Sequence, residues 1–215
     1  MTLDAEKRLA AEAAAELVED GMVLGLGTGS TVAHLLPAIA RRGLDLRCVA
    51  TSPATESAAR ALGLAVESFA GVDAPARLDL AIDGADQVAP DSWIVKGGGA
   101  AHTREKVVAA AADRFVVVVD SSKVVARLAP PIPLELSEFG LAATLERLGS
   151  GVLRDVALSP DGGVIADFTG AFDEPRALAD RLSSEPGVVE HGLFPPELVS
   201  TVIVARGDSV EVRAV

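Results

Sequence analysis

Residues 22–51, MVLGLGTGSTVAHLLPAIARRGLDLRCVAT, read as strand, loop, helix and strand, and that order decides the fold. Residues 22–27 form a short apolar run, and the glycines and hydroxyls of Gly25-Leu26-Gly27-Thr28-Gly29-Ser30-Thr31 interrupt it. Residues 31–42 are helical in pattern, and residues 46–51 are apolar again. The alternation continues outward in both directions. Before it, residues 4–20 are alanine-rich with interspersed charges and stop at Gly21, which predicts an amphipathic helix with a glycine just past its end. After it, residues 54–62 and 103–113 predict helices, and residues 64–69, 78–83, 93–96 and 115–120 predict strands. Continuous Val, Leu and Ile runs between helices imply a parallel sheet covered on both faces. The expected class is α/β, a Rossmann-like open, mostly parallel sheet with helices on both faces.

Around Pro130, Pro131 and Pro133 the pattern changes. Strands over residues 151–158 and 163–168, joined by Ser-Pro-Asp-Gly-Gly, and a helix over 175–184 predict a smaller α+β unit. Residues 200–206, Gly207-Asp208 and residues 209–215 predict a closing hairpin. The expected division is a catalytic domain of residues 1–128 and 201–215 and a small α+β domain of residues 129–200, serving oligomerisation and lid-side support.

The chain has 215 residues, 49% of them apolar and 23% charged, enough to bury a sizeable core. No apolar run reaches 18 residues and no leader pattern opens the chain, so a cytoplasmic protein without membrane association is expected. The single cysteine, Cys48, excludes an internal disulfide and a multi-cysteine metal cage, and its place in an apparent strand makes it core. A net charge of −12 argues against a nucleic-acid partner. An anionic ligand would need a local cluster of cations and N–H dipoles against that field. Only four residues are lysines: Lys7, Lys96, Lys106 and Lys123.

In open α/β sheets the ligand crevice lies beyond the carboxyl ends of the strands, so the loops there should converge. The loop over residues 25–31 runs into a helix N-terminus, which favours an anion. It lacks the dinucleotide fingerprint, since Ser30 occupies the last glycine position, and the next strand ends in Thr51 and Ser52 instead of a ribose-binding acid. A phosphate monoester therefore fits better than NAD, although Ser30 and Thr31 could simply cap the helix. Thr51 and Ser52 are explained equally well by capping. Asp83-Gly84-Ala85-Asp86 places two carboxylates three apart at a strand end, suited to sugar hydroxyls, a metal, proton exchange or a plain turn. No histidine shares that loop, which weakens the metal reading; His34 and His191 lie in unrelated contexts. Lys96-Gly97-Gly98-Gly99 lets the backbone turn its N–H groups toward one point. Thr103 could cap the following helix, placing Glu105 in its first turn, where an ionised carboxylate is favoured and available as a base. Asp120-Ser121-Ser122-Lys123 sets another lysine just after an apolar strand.

Taken together, Gly-Thr-Gly-Ser-Thr (27–31), Asp-Gly-Ala-Asp (83–86), Lys-Gly-Gly-Gly (96–99), Thr-Arg-Glu-Lys (103–106) and Asp-Ser-Ser-Lys (120–123) resemble the A-type ribose-5-phosphate isomerase family in order and spacing. Pro-Gly-Val-Val-Glu-His-Gly-Leu-Phe (186–194) resembles its second-domain signature, so the likeness spans essentially the whole chain. The resemblance implies interconversion of D-ribose 5-phosphate and D-ribulose 5-phosphate through a cis-enediolate, without metal or organic cofactor, by a homodimer or dimer of dimers. It implies Glu105 as the base moving a proton between C2 and C1. Thr28, Gly29, Ser30 and Thr31 with Lys123 and Lys7 would hold the phosphate. Asp83, Gly84, Ala85, Asp86, Lys96, Gly97, Gly98 and Gly99 would serve the sugar end, with Asp83, Asp86 and Lys96 assisting ring opening and the oxyanion. Gln87 stands where the family commonly has Glu, and His102 where an apolar residue is usual; residues 133–140 are looser than the family's form. Two other readings compete: a non-catalytic sugar-phosphate sensor of the same architecture, and a lactonase or amino-sugar deaminase, for which His102 is the only histidine near enough to act as base.

Overall fold

Small side chains let the first helix lie close against the sheet. In the computed structural model, which describes residues 2–215, α1 (Leu3–Ala15) is capped by the Thr2 side chain, which accepts the Ala5 N–H, and it buries Ala10, Ala11, Ala14 and Ala15. It stops at Ala15 and does not continue to residue 20. The Arg42 guanidinium donates to the Ala15 carbonyl and, at 2.6 Å, to that of Val18, and this satisfies the chain end as a turn.

The alternation read from the sequence follows: β1 (Val23–Leu26), α2 (Ser30–Ala40), β2 (Arg47–Ala50), α3 (Pro53–Ala61), β3 (Leu80–Asp83), β4 (Gln87–Val88), β5 (Ile94–Val95), α4 (His102–Ala111) and β6 (Phe115–Asp120). Then come β7 (Ile132–Leu136), α5 (Leu141–Leu148), β8 (Gly151–Leu153), β9 (Val164–Phe168), α6 (Pro175–Ser184), β10 (Val188–His191), β11 (Leu193–Phe194), and the hairpin β12 (Thr201–Arg206) and β13 (Ser209–Ala214). The central sheet has the order β13-β12-β6-β3-β1-β2, all parallel except the β13 edge. Every residue of β6 is buried. Val116 and Val118 join the core under α1 and α2, while Phe115, Val117 and Val119 join the core that contains Val108 and Ala109 of α4. Helices therefore cover both faces, and the class is α/β as expected. No helix among the described residues is long and apolar enough to cross a membrane.

A second, antiparallel sheet has the order β10-β7-β9-β8 and packs with α5 and α6 around Leu134, Phe168 and Leu182. A three-stranded sheet, β11-β5-β4, lies between the two, and Trp93 and Val95 share the second unit's core. Trp93 is thus a core residue, with the Arg176 guanidinium 5.2 Å from its ring centre.

Several expected elements differ. Residues 64–69 make no strand; Val66 forms a single parallel bridge to Cys48 at the open edge of β2, and nothing beyond it extends the pairing. The strand expected over 151–158 stops at Leu153; past it the Arg154 N–H still donates to the Ile165 carbonyl of β9 at 3.0 Å, and the ladder goes no further. Strand β7 was masked by Pro133, which is tolerated because its pairing with β10 begins only at Leu134. Helix α5 lies between Gly140 and Gly149, both at positive φ, +76° and +72°.

The order of the sheet also places the site. Strand β2 lies on one side of β1 and β3 on the other, so the strand order reverses between β1 and β3, and a crevice opens outside their carboxyl ends. The loops after those two strands are residues 27–31 and 83–86.

Candidate active site

A cavity of about 100 Å³ opens at this reversal. It is lined by Lys7, Thr28, Gly29, Ser30, Thr31, Gly84, Ala85, Asp86, Lys96, Gly97, Gly98, Gly99, Glu105 and Lys123. The structure thus brings to one place every residue to which the family resemblance assigns a role, except Asp83, which lies just behind the wall and is 3% exposed.

At one end of the cavity α2 begins. Its N-terminal residue is preceded by Gly29 at φ +114°, a backbone setting that side-chain-bearing residues rarely adopt, and no side chain caps it. Ser30 and Thr31 therefore do not cap the helix, and the N–H groups of its first turn point at the cavity. Lys7 and Lys123 line the same cavity, and neither takes part in an ion pair among the described residues, whereas Lys96 and Lys106 both do. The loop is held from behind. Thr28 Oγ1 lies 2.7 Å from Thr51 Oγ1, and the Thr55 hydroxyl donates to the Gly27 carbonyl at 2.9 Å. Ser52 is the N-cap of α3, accepting the Thr55 N–H. The Thr28 N–H itself donates to Asp83 Oδ1 at 3.0 Å, so it belongs to the frame and not to a ligand. Gly27 has no room for a side chain, since a Cβ there would meet the Asp83 carboxyl at 2.0 Å.

At the other end, three ionisable groups are buried together. Lys96 Nζ lies 3.0 Å from Asp83 Oδ2 and 3.3 Å from Glu105 Oε2 and also donates to the Gly84 carbonyl; none of the three side chains is more than 5% exposed. Asp83 Oδ1 accepts the N–H groups of Thr28 and Gly84, at 3.0 and 2.7 Å. Glu105 Oε2 has no aligned hydrogen-bond donor. One ammonium cannot balance two buried carboxylates, and the pKa shifts follow. Burial, and then the charge of Asp83, push Glu105 up to about 8 against the pull of Lys96. Burial raises Asp83 as well, opposed by Lys96 and the two backbone N–H groups. Burial disfavours the Lys96 ammonium, but the two carboxylates outweigh it and hold the group charged. The expectation that the first turn of α4 favours an ionised Glu105 meets an opposing environment: desolvation and the charge of Asp83 exceed the helix dipole and hold the carboxyl well above its ordinary range. Thr103 is corrected. Helix α4 starts at His102 with no side-chain cap, and the Thr103 hydroxyl instead donates to Glu135 of the second unit.

Asp86 lines the cavity and accepts the Gly98 N–H at 2.7 Å, which fixes the glycine turn and uses one of the N–H groups expected to face a ligand. Gly97, at φ +109°, has Pro133 and His102 against it, 2.6 and 2.8 Å from where a Cβ would stand. Its carbonyl accepts from Arg154 at 2.8 Å, and Arg154 is paired to Asp167 through two hydrogen bonds. Glu135 and Arg154 were not foreseen, because both reach the site from the second unit and carry no local motif.

His102 is fully buried and does not line the cavity; burial lowers it to about 4. It is not placed to act as a base. Lys106 turns away from the cavity to Glu190 and the His191 carbonyl, both at 2.7 Å. The Gln87 amide donates to the Ala129 carbonyl at 2.7 Å and accepts the Ala129 N–H at 2.9 Å, a reciprocal pair that a carboxylate could only half make. Among the described residues no group of three or more His, Cys, Asp or Glu could hold a metal. A larger cavity of about 380 Å³ lies across α4, but Arg60 is paired with Glu56 and Arg104 with Asp161, so its charges are already answered.

Comparison with known proteins agrees with this geometry. Residues 47–209 match the family model described as ribose 5-phosphate isomerase A (phosphoriboisomerase A). The chain is 44% identical over 209 residues to the ribose-5-phosphate isomerase A of Caulobacter sp. (strain K31), covering 90% of this chain and 91% of the relative. The ribose 5-phosphate isomerase A of Neisseria gonorrhoeae superposes with a TM-score of 0.93 at 32% identity, over 99% of this chain and 97% of that one. A D-ribose-5-phosphate isomerase in complex with phospho-erythronic acid superposes with a TM-score of 0.92 at 33% identity, over the full length of both. A chain with this sheet order, this cavity and these relatives belongs to the ribose 5-phosphate isomerase A family.

Proposed function

We propose that this aldose–ketose isomerase holds the phosphate of ribose 5-phosphate at the N-terminus of α2, between Lys7 and Lys123, with C1 and C2 at Glu105 and Lys96. The observation that carries the assignment is the lining of one cavity: two ammonium groups without an ion pair among the described residues and a helix N-terminus without a side-chain cap, together with a buried carboxylate that has an unpartnered oxygen. A relative bound to phospho-erythronic acid, an open-chain phosphate, supports a ligand of this shape.

In the proposed reaction Asp86 contacts the sugar hydroxyls and assists ring opening, with Asp83 behind it. Ionised Glu105 removes the proton from C2 of the open-chain aldose. As that carboxylate becomes neutral its attraction for Lys96 lapses, and the Lys96 N–H at 3.3 Å from Oε2 turns to the oxygen on which negative charge develops. The charge moves from Glu105 to a cis-enediolate oxygen while the same cation follows it. The hydroxyl proton of O2 passes to O1 within the cis-enediolate, Glu105 then returns its own proton to C1, and O2 becomes the carbonyl oxygen of ribulose 5-phosphate.

The test is a coupled assay of ribose 5-phosphate conversion with EDTA present. Activity is expected to persist in EDTA, and Lys123→Ala to raise KM about tenfold or more with kcat within a few-fold, the pattern of lost uniform binding. An unchanged KM removes the phosphate from this end.

We also propose that the second unit, residues 129–200, carries self-association. Strand β8 is a sheet edge, with Val152 54% and Leu153 48% exposed, and Val156 and Leu158 continue the apolar surface. An apolar, unpaired edge of this kind is a template for pairing with a second copy.

A further inference from the structure

The phosphate end of the cavity rests on a residue that does not line it. Glu6 precedes Lys7 in α1 and is only 6% exposed. Its two carboxylate oxygens each accept one backbone N–H from a distant part of the chain: Oε2 from Ser121 at 2.9 Å, Oε1 from Gly207 at 2.8 Å. Ser121 opens the single 3₁₀ turn that ends in Lys123, and Gly207 sits in the turn between β12 and β13. One side chain thus ties the first turns of α1 to the segments that follow β6 and β12. An acidic residue in a first helical turn is favoured by the helix dipole with no further role. The dipole does not account for its burial or for two bonds to remote segments.

Lys7 is the next residue in the chain, and Lys123 lies two beyond Ser121. Both have long, flexible stems and, among the described residues, no ion pair to hold them, so their backbone anchors decide where the ammonium groups can reach. We infer that Glu6 is a positioning residue for the phosphate site: its carboxylate sets the distance between the anchors of Lys7 and Lys123 and so lets both cations meet one phosphate. It touches neither the substrate nor the reacting atoms. The inference rests on the phosphate placement proposed above.

The effect belongs to binding and not to turnover. Glu6→Gln keeps the shape but turns an NH₂ group toward one of the two N–H donors. Ser121→Pro removes the Ser121 N–H that donates to Glu6, and so acts from the other side of the contact. Ser121 is the first residue of its turn, where proline is well tolerated, and Asp120 before it is extended at φ −81° and ψ 168°, as a residue before proline prefers. Steady-state kinetics on ribose 5-phosphate, competitive inhibition by inorganic phosphate and thermal denaturation should be measured on both variants and on Lys123→Ala. The expected result is a parallel rise of about tenfold in KM and in the phosphate inhibition constant, equivalent to about 1.4 kcal/mol, with kcat held within about twofold. In a Lys123→Ala background the Glu6→Gln effect should shrink, because one of the two cations it spaces is gone. A lowered melting temperature with KM and phosphate inhibition unchanged would reduce Glu6 to a stabilising contact and overturn the inference. If Glu6→Gln does not fold, Ser121→Pro decides alone. Should Lys123→Ala raise both constants while the other two variants leave them alone, only the role of Glu6 fails; should Lys123→Ala also leave them unchanged, the phosphate placement fails with it.

Discussion

Glu105 and Asp83 compete for one ammonium, and their environments hold them with different strength. Asp83 has two backbone N–H donors on one oxygen and Lys96 on the other, while Glu105 has only the unaligned contact with Lys96. The weaker-held carboxylate is the one that faces the cavity, which suits a base that must give up a proton and regain one. Because Glu105 stands near 8, kcat/KM should rise with pH through about 8 before levelling, the apparent value belonging to the whole cluster. A profile flat from pH 6 to 9 would contradict this. The same group makes the fold less stable as pH climbs from about 4.5 to about 8, since the unfolded chain releases a proton that the native one keeps. The residues of this cluster were legible in the sequence as Asp83, Lys96 and Glu105. Their protonation was not, because a position in a first helical turn says nothing about how deeply the carboxylate is desolvated.

Helix α4 shows how an element carries one functional side chain. Residues on both sides of Glu105 are taken by the second unit: Thr103 by Glu135, Arg104 by Asp161, to which it donates two hydrogen bonds, and Lys106 by Glu190 and the His191 carbonyl. The orientation that leaves Glu105 toward the cavity is therefore imposed by contacts distant in sequence. Thr103→Val leaves the buried Glu135 carboxylate with only the Ser159 hydroxyl at 2.6 Å and should cost about 1–3 kcal/mol of stability. It should also lower kcat more than it raises KM; a variant with wild-type kcat and reduced stability would show that α4 does not depend on this anchor. The alternation around residues 22–51 and the glycine loops were readable because their signals are local. Strands β7, β10 and β11 and helix α5 were not, since Pro133, a two-residue strand and an eight-residue helix between glycines lack a periodic run, and tertiary pairing supplies what propensity does not. The false strand at 64–69 is the converse: an apolar pattern with only one bridging partner, Cys48.

The molecule as a whole carries a net charge of −12 while binding an anionic substrate. The cavity answers this locally: its lining holds two lysines without an ion pair among the described residues, a helix N-terminus and the Lys96 cluster. The second unit supplies the anchors for α4 and an exposed apolar edge along β8. Replacing both Val152 and Leu158 by Asp should shift sedimentation from dimer toward monomer at micromolar concentration; a wild-type chain already monomeric there would remove the edge from that role. Composition disclosed the charge problem, and the loops disclosed its solution at the level of residue type. The support that the second unit gives to α4 became visible only in three dimensions, because residues 135, 161 and 190 are separated from 103–106 by whole elements. In the proposed reaction Glu105 is the group that moves the proton. The most direct measurement is turnover of ribose 5-phosphate by the Glu105→Gln variant, with substrate binding followed in parallel by calorimetry. Turnover lower by about 10² to 10⁴ with affinity nearly intact is the predicted result, and turnover near that of the unmodified chain would contradict it.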